Sequence, residues 1–115
     1  MKGFPIVLLT IAAVVLVALS RCSDAVARPP VPANVFKAVR AYWKSPAERR
    51  KAFDVVSCET GGTYSTTATN GQYLGIFQTG SWFRARYGFG SSARAQARAA
   101  HRGWVELGWS QWECA

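Results

Sequence analysis

Histidine occurs once in the 115 residues, at position 101. A single imidazole supports neither a histidine-based metal centre nor a Ser-His-Asp triad, and His101 beside an arginine stripe reads as a surface residue. No metal and no cofactor is therefore expected. Carboxylates are also scarce, with 6 Asp and Glu against 14 Lys and Arg and a formal charge of +8. The matching partners are polyanions or anionic surfaces, and any chemistry that needs a carboxyl group must draw on very few candidates. Internal repeats and long low-complexity stretches are missing, and the length leaves room for one small domain plus a targeting segment. Nucleic acid is not expected as a partner, since no familiar nucleic-acid motif accompanies the charge.

Cysteine is sparse too, at three residues. Cys22 belongs to the amino end, where Lys2 precedes an apolar run over residues 4–19 and Ala25-Val26-Ala27 supplies a small-x-small cleavage signature. This pattern reads as a secretory signal peptide over residues 1–27, cut after Ala27. A retained anchor is the alternative, although the run is shorter than the roughly 20 residues a bilayer requires. Lipidation at Cys22 is disfavoured by Arg21, because the preceding residue is normally small. Loss of Lys2, Arg21 and Asp24 with the leader leaves a charge of +7 and two cysteines. In an oxidising compartment Cys58 and Cys114 form the one possible intramolecular pair, with two free thiols as the alternative.

What is plentiful is aromatic surface: 5 Trp, 4 Tyr and 6 Phe serve equally as a core or as faces for stacking sugars and bases. Three prolines make residues 28–33 a short extended linker. Asn34 is a plausible N-cap for a helix with Val35, Phe36, Val39, Tyr42 and Trp43 on one face and Lys37, Arg40 and Lys44 on the other. Ser45-Pro46-Ala47-Glu48 combines an N-cap serine, a first-turn proline and a capping-box glutamate, so a second helix starts there. Ala52, Phe53, Val55 and Val56 give it a buried side, and Gly61-Gly62 stops it. Between residues 63 and 78, polar and small residues with an Asn70-Gly71 turn predict at most a small hairpin. Further helices open at Gly80-Ser81 and after Ser92, the last carrying a stripe of Ala93, Ala97, Ala100 and Trp104 and ending at Gly108. The predicted fold is mainly α.

Glu59 falls three residues after Val56 and four after Val55, on the margin of the apolar face. Burial and the carboxyl end of a helix both raise a carboxyl pKa. A carboxylic acid still protonated near neutral pH is what cleavage of a glycosidic bond requires. Surface pairing with an arginine is the plain alternative.

The segment Phe53-Asp54-Val55-Val56-Ser57-Cys58-Glu59-Thr60-Gly61-Gly62 is followed by Thr69-Asn70-Gly71-Gln72-Tyr73-Leu74-Gly75-Ile76-Phe77-Gln78, by Ser81-Trp82 and by Gly108-Trp109-Ser110-Gln111-Trp112-Glu113-Cys114. In that order they resemble the resuscitation-promoting-factor and transglycosylase-like domains of actinobacterial envelopes, over residues 53–115. Thr60 and Leu74 depart from the resuscitation factors, where serine and glycine are usual, and Ile76-Phe77-Gln78 is nearer the general lytic transglycosylases. The resemblance implies a small lysozyme-like fold stapled by a Cys58–Cys114 disulfide. It also implies Glu59 as catalytic acid and cleavage of the β-1,4 link between N-acetylmuramic acid and N-acetylglucosamine in peptidoglycan. Residues 34–52 then form a basic amphipathic helical lead-in.

On this reading Glu59 protonates the leaving oxygen and the sugar's own 6-hydroxyl closes an anhydro product, the route of a lytic transglycosylase. Hydrolysis, as in a muramidase, would call on a second carboxylate, for which Asp54, Glu106 and Glu113 are the candidates. Gln78, Tyr73, Tyr64 and Trp82 are candidates for substrate contact, although each aromatic also suits the core. The expected protein is a secreted, monomeric enzyme of the cell envelope acting on peptidoglycan glycan strands, with anionic wall polymers as further partners. The competing class is a non-catalytic module that adheres to peptidoglycan or teichoic acid.

Overall fold

The computed structural model describes residues 28–115; the expected leader over residues 1–27 lies outside the described residues. Four helices and a two-stranded sheet follow in chain order: α1 (Ala33–Tyr42), α2 (Pro46–Glu59), β1 (Thr69–Asn70), β2 (Tyr73–Leu74), α3 (Ser81–Tyr87), α4 (Ala93–Leu107) and a closing 3-10 turn (Gly108–Gln111). None of the described helices is long and apolar enough to cross a membrane.

Side-chain caps fix two of the helix starts. The Ser45 hydroxyl accepts from the Glu48 N–H at 3.1 Å with Pro46 in the first turn, and the Ser92 hydroxyl accepts from the Ala95 N–H at 3.0 Å. Each cap satisfies an amide the helix itself leaves open. α1 starts one residue before Asn34: the extended Pro32 occupies the cap position and its carbonyl accepts from the Phe36 N–H at 2.9 Å. The cap there is backbone alone, and Asn34 is exposed.

α1 packs chiefly on α4, and Trp43, fully buried where α1 ends, is the centre of the core. Its indole lies 5.4 Å from Phe77, 5.9 Å from Trp109 and 5.1 Å from His101, measured between ring centroids. The expectation that His101 sits at the surface is therefore corrected. The imidazole is half-buried among Tyr42, Trp43 and Trp104, and burial lowers its pKa.

The small-residue face of α4 is wider than the alanine stripe suggests. It buries Ala93, Gln96, Ala97, Ala99, Ala100 and Gly103, while Trp104 is only partly buried. Gly103 is required for this packing, because a Cβ there would stand 2.1 Å from Phe83 Cζ. Helix α3 can consequently lie close against α4.

The proline-rich segment before α1 is tied to the body. Arg28 pairs with Asp54, and the Pro29 carbonyl accepts from the Tyr64 hydroxyl at 2.7 Å. Likewise α2 runs unbroken across residues 52 and 53, and Val35, Val39 and Trp43 from α1 belong to the same core as Phe77 and Trp112. The basic lead-in is thus part of one folded body with the residues that follow it.

Candidate active site

Glu59 is the last residue of α2. The helix stops there because Gly61 and Gly62 both take positive φ, and the Gly62 N–H turns back to the Ser57 carbonyl at 2.7 Å. Thr60, buried behind it, donates its hydroxyl to the Val56 carbonyl at 2.8 Å and accepts from the Tyr64 N–H at 2.9 Å. The backbone after the acid is therefore folded back and fully engaged.

The Cys58–Cys114 disulfide, Cα atoms 5.8 Å apart, draws the carboxyl-terminal segment onto this helix end. Trp112 is buried beside it, and its indole N–H donates to the Phe77 carbonyl at 2.9 Å. Gln111, at the end of the 3-10 turn, and Glu113, in the turn after Trp112, line the same cavity as Glu59. That cavity, about 160 Å³, is completed by Asn70, Tyr73 and Gln78. Each glutamate thus neighbours one of the two bridged cysteines.

Burial of its carboxyl is the main reason that the Glu59 pKa lies above the ordinary carboxylate value. The charge of Glu113 pushes it in the same direction, and the nearby Cys114 backbone works against both. The carboxyl end of a helix adds a contribution of the same sign as burial. Such a group holds its proton nearer neutrality than a surface glutamate does, as a proton donor must.

A second cavity of about 260 Å³ adjoins the first, sharing Tyr73, Gln78 and Gln111 and reaching Trp82. The two together make a groove with the acid at one end and a tryptophan at the other. Tyr73, 45% exposed on β2, and Trp82, 60% exposed on α3, offer aromatic faces. Gln78 stands between them in a left-handed conformation, φ +46°, and its amide nitrogen donates to the carbonyls of Ala68 and Gly75 at 3.0 and 2.9 Å. Its side-chain oxygen accepts no hydrogen bond from the described residues.

Three of the four candidate contact residues meet around this groove, and Tyr64 does not. It is 4% exposed and commits its hydroxyl to Pro29, so it locks the segment before α1 instead of lining the groove. Among the other carboxylates, Asp54 is paired with Arg28. Glu106 accepts from the Tyr87 hydroxyl at 2.5 Å and from Arg86 at 3.3 Å, and these partners, Tyr87 first, lower its pKa. Arg102 contributes only through its charge, so the main partners lie on α3 and not on α4 itself. Among the described carboxylates, Glu113 is the one that lines this cavity with Glu59.

Gln96 is a site-building residue that the sequence pattern does not single out. Buried at 3% exposure, it accepts from the Ile76 N–H at 2.8 Å and donates to the carbonyls of Thr66 and Gly90, each at 2.9 Å. One side chain thereby joins three loop segments and holds the backbone that carries Gln78. Gly75 makes room for it: a Cβ there would stand 2.5 Å from the Gln96 side-chain oxygen, and its φ of +82° also favours glycine. A lone amide amid a stripe of alanines is the one signal that could have found it.

Among the described residues no group of three or more His, Cys, Asp or Glu could hold a metal ion. No family model matches the chain, and searches of curated proteins and of solved structures return no match.

Proposed function

We propose that the protein is a secreted enzyme that cleaves the MurNAc-β-1,4-GlcNAc bond of peptidoglycan by general acid catalysis, as a lytic transglycosylase, on a small lysozyme-like fold. The observation that carries this reading is a carboxyl group held above its normal pKa at one end of a groove walled by amides and open aromatic rings. A glycan strand offers the matching chemistry, because acetamido groups pair with amides and sugar rings stack on tyrosine and tryptophan. The resemblance of residues 53–115 to envelope transglycosylases supports the same reading, and a disulfide is consistent with an oxidising compartment outside the cytoplasm.

In the proposed step Glu59 gives its proton to the glycosidic oxygen as the bond breaks, leaving an oxocarbenium-like sugar. The carboxylate so formed takes the proton of that sugar's 6-hydroxyl, whose oxygen closes on the anomeric carbon. The acid is regenerated and no water is consumed. Glu113 acts through Glu59: its negative charge favours the protonated form of its neighbour and so enlarges the fraction ready to donate.

Digestion of purified peptidoglycan tests the reading. Wild-type protein is expected to release muropeptides with anhydro ends, lighter by one water than reducing ends, and Glu59→Gln is expected to release none while still binding the wall. Failure of the wild type to release any fragment would leave the binding-module reading in its place. Reducing ends would assign hydrolysis instead.

A further inference from the structure

Away from the Glu59 groove, α1 and the first turns of α2 enclose another concavity of about 270 Å³, lined by Arg28, Arg40, Arg49, Arg50, Phe36 and Phe53. It shares no residue with the two cavities of the groove. Phe36 and Phe53 stack with centroids 5.6 Å apart and planes 7° apart. Arg28 stands over Phe53 and Arg40 over Phe36, each 5.4 Å from the ring centroid. Arg49 is fixed from below, its Nε donating to the Trp43 carbonyl at 2.7 Å. Arg28 is steadied by its pair with Asp54.

Two guanidinium groups, that of Arg40 and that of Arg28 with its charge shared by Asp54, are therefore held over an aromatic floor, with Arg49 anchored at the Trp43 carbonyl and Arg50 exposed beside them. Guanidinium forks match phosphate oxygens, and preorganised ones lose less freedom on binding. We infer that this concavity is an anion site for a phosphodiester polymer of the poly(alditol phosphate) kind, which tethers the protein while the Glu59 groove works on another strand. Exposed Lys37 on α1 and Lys44 just past its end add positive charge outside the concavity, which suits a chain of phosphates better than a single one.

Two other anionic partners fit less well. Nucleic-acid bases need open aromatic faces, and here each ring already meets its neighbour and a guanidinium. A lipid surface needs apolar groups to insert, and Phe53 is 7% exposed, leaving Phe36 as the one ring partly open. The polymer's source rests on the envelope location proposed above. Binding is measured without cleavage, so a negative result here leaves the Glu59 reading standing.

The test compares two double variants that each remove two charges. Arg40→Gln with Arg50→Gln alters the concavity at exposed positions, and Arg98→Gln with Arg102→Gln alters the exposed side of α4. Poly(glycerol phosphate), phosphatidylglycerol vesicles and single-stranded DNA of equal phosphate content are titrated at several salt concentrations, with circular dichroism to confirm folding. The polymer is expected to bind more tightly than the other two. The first double variant should bind it at least tenfold more weakly, with a salt slope smaller by about 1.4 if each cation contributes roughly 0.7 as on single strands. The second should stay within about twofold of wild type. Equal losses in both variants would reduce the site to diffuse charge, and tighter binding of vesicles or of DNA would assign the surface to that partner; either result overturns the inference.

Discussion

Gln96→Leu removes the side chain that joins three loops while keeping its approximate size. The Ile76 N–H is buried and finds no substitute acceptor in an isobutyl group, so its orphaning costs about 1–3 kcal/mol. The carbonyls of Thr66 and Gly90 are bonded at partly buried positions, where water can replace the amide at small cost. Leucine gains apolar burial of about 1 kcal/mol in return. The lost donor contact outweighs the gain, and with two weakened carbonyl contacts the net loss is about 2 kcal/mol. For a body of this size each kcal/mol lowers Tm by about 4–8 °C, so the variant should melt roughly 8–16 °C below wild type. Amide exchange supplies the local reading: the Ile76 N–H should lose protection more than amides in the middle of α2. Activity should fall through KM, because Gln78 rides on the loosened loop while Glu59 keeps its helix. A melting point within about 3 °C of wild type, with Ile76 protection unchanged, would refute the assignment of Gln96 as the joint between these loops.

Glu113→Gln removes the charge that helps hold the proton on Glu59, so the Glu59 pKa should fall. Because the protonated form is the active one, the alkaline limb of the pH–rate profile should move to lower pH; a limb that stays put or moves up would remove Glu113 from the site. Glu59→Gln should abolish muropeptide release and raise thermal stability at pH 7. The sign follows from linkage: a carboxyl with a raised folded pKa binds more protons folded than unfolded, so stability falls as pH climbs from the ordinary value of 4.5 through the raised one. The advantage of glutamine should vanish below about pH 4, where wild-type glutamate is protonated in both states, and an equal gain at pH 3 and pH 7 would contradict this. Gly103→Ala should gain about 1 kcal/mol of helix propensity but lose more to the clash with Phe83, giving a net fall in Tm rather than a rise. Reduction of Cys58–Cys114, which spans 56 residues of chain, should cost about 4 kcal/mol in the chain-entropy description. Denaturant titration with and without reductant reads that difference.

Elements closed by local chemistry are legible in the order of the amino acids. Ser45 with Pro46, Ser92, Gly108 and the Asn70-Gly71 turn each satisfy or redirect backbone groups within a few residues, and the observed ends lie where those residues stand. What local pattern misses is decided across the fold. Phe36 has helical periodicity with Val35 and Val39, yet it stacks on Phe53 at the surface, because its position on α1 faces α2 instead of α4. His101 looks like one more polar residue of an arginine stripe until Trp43 closes over it from another helix. Tyr64 resembles a sugar-stacking residue in a polar loop, but the segment before α1 returns to take its hydroxyl. Glu113 could not be told from a solvent-facing tail residue, since its place depends on Cys114 crossing to Cys58 and on Trp112 turning inward.

The groove therefore has two supports of different kinds. The acid end is held covalently: the disulfide places Glu113 in the cavity of Glu59 and brings the Cys114 backbone close to the acid. The substrate wall is held by hydrogen bonds, from Gln96 to the loop that presents Gln78. Damage to each should consequently leave a different kinetic trace. Opening the disulfide frees the tail: exposure of Glu59 to water and loss of the Glu113 charge lower its pKa, loss of the Cys114 backbone contact raises it, and because burial is the largest of the three the alkaline limb should shift downward. Gln96→Leu leaves both carboxylates in place, so KM should rise with that limb unmoved. A combined variant should show both effects at close to their separate sizes if the Trp112 contact with Phe77 transmits little between tail and loop. Strong non-additivity would mean that the tail and the loop act as one unit, most directly through the Trp112 hydrogen bond to Phe77, and Trp112→Phe would then be the change that uncouples them.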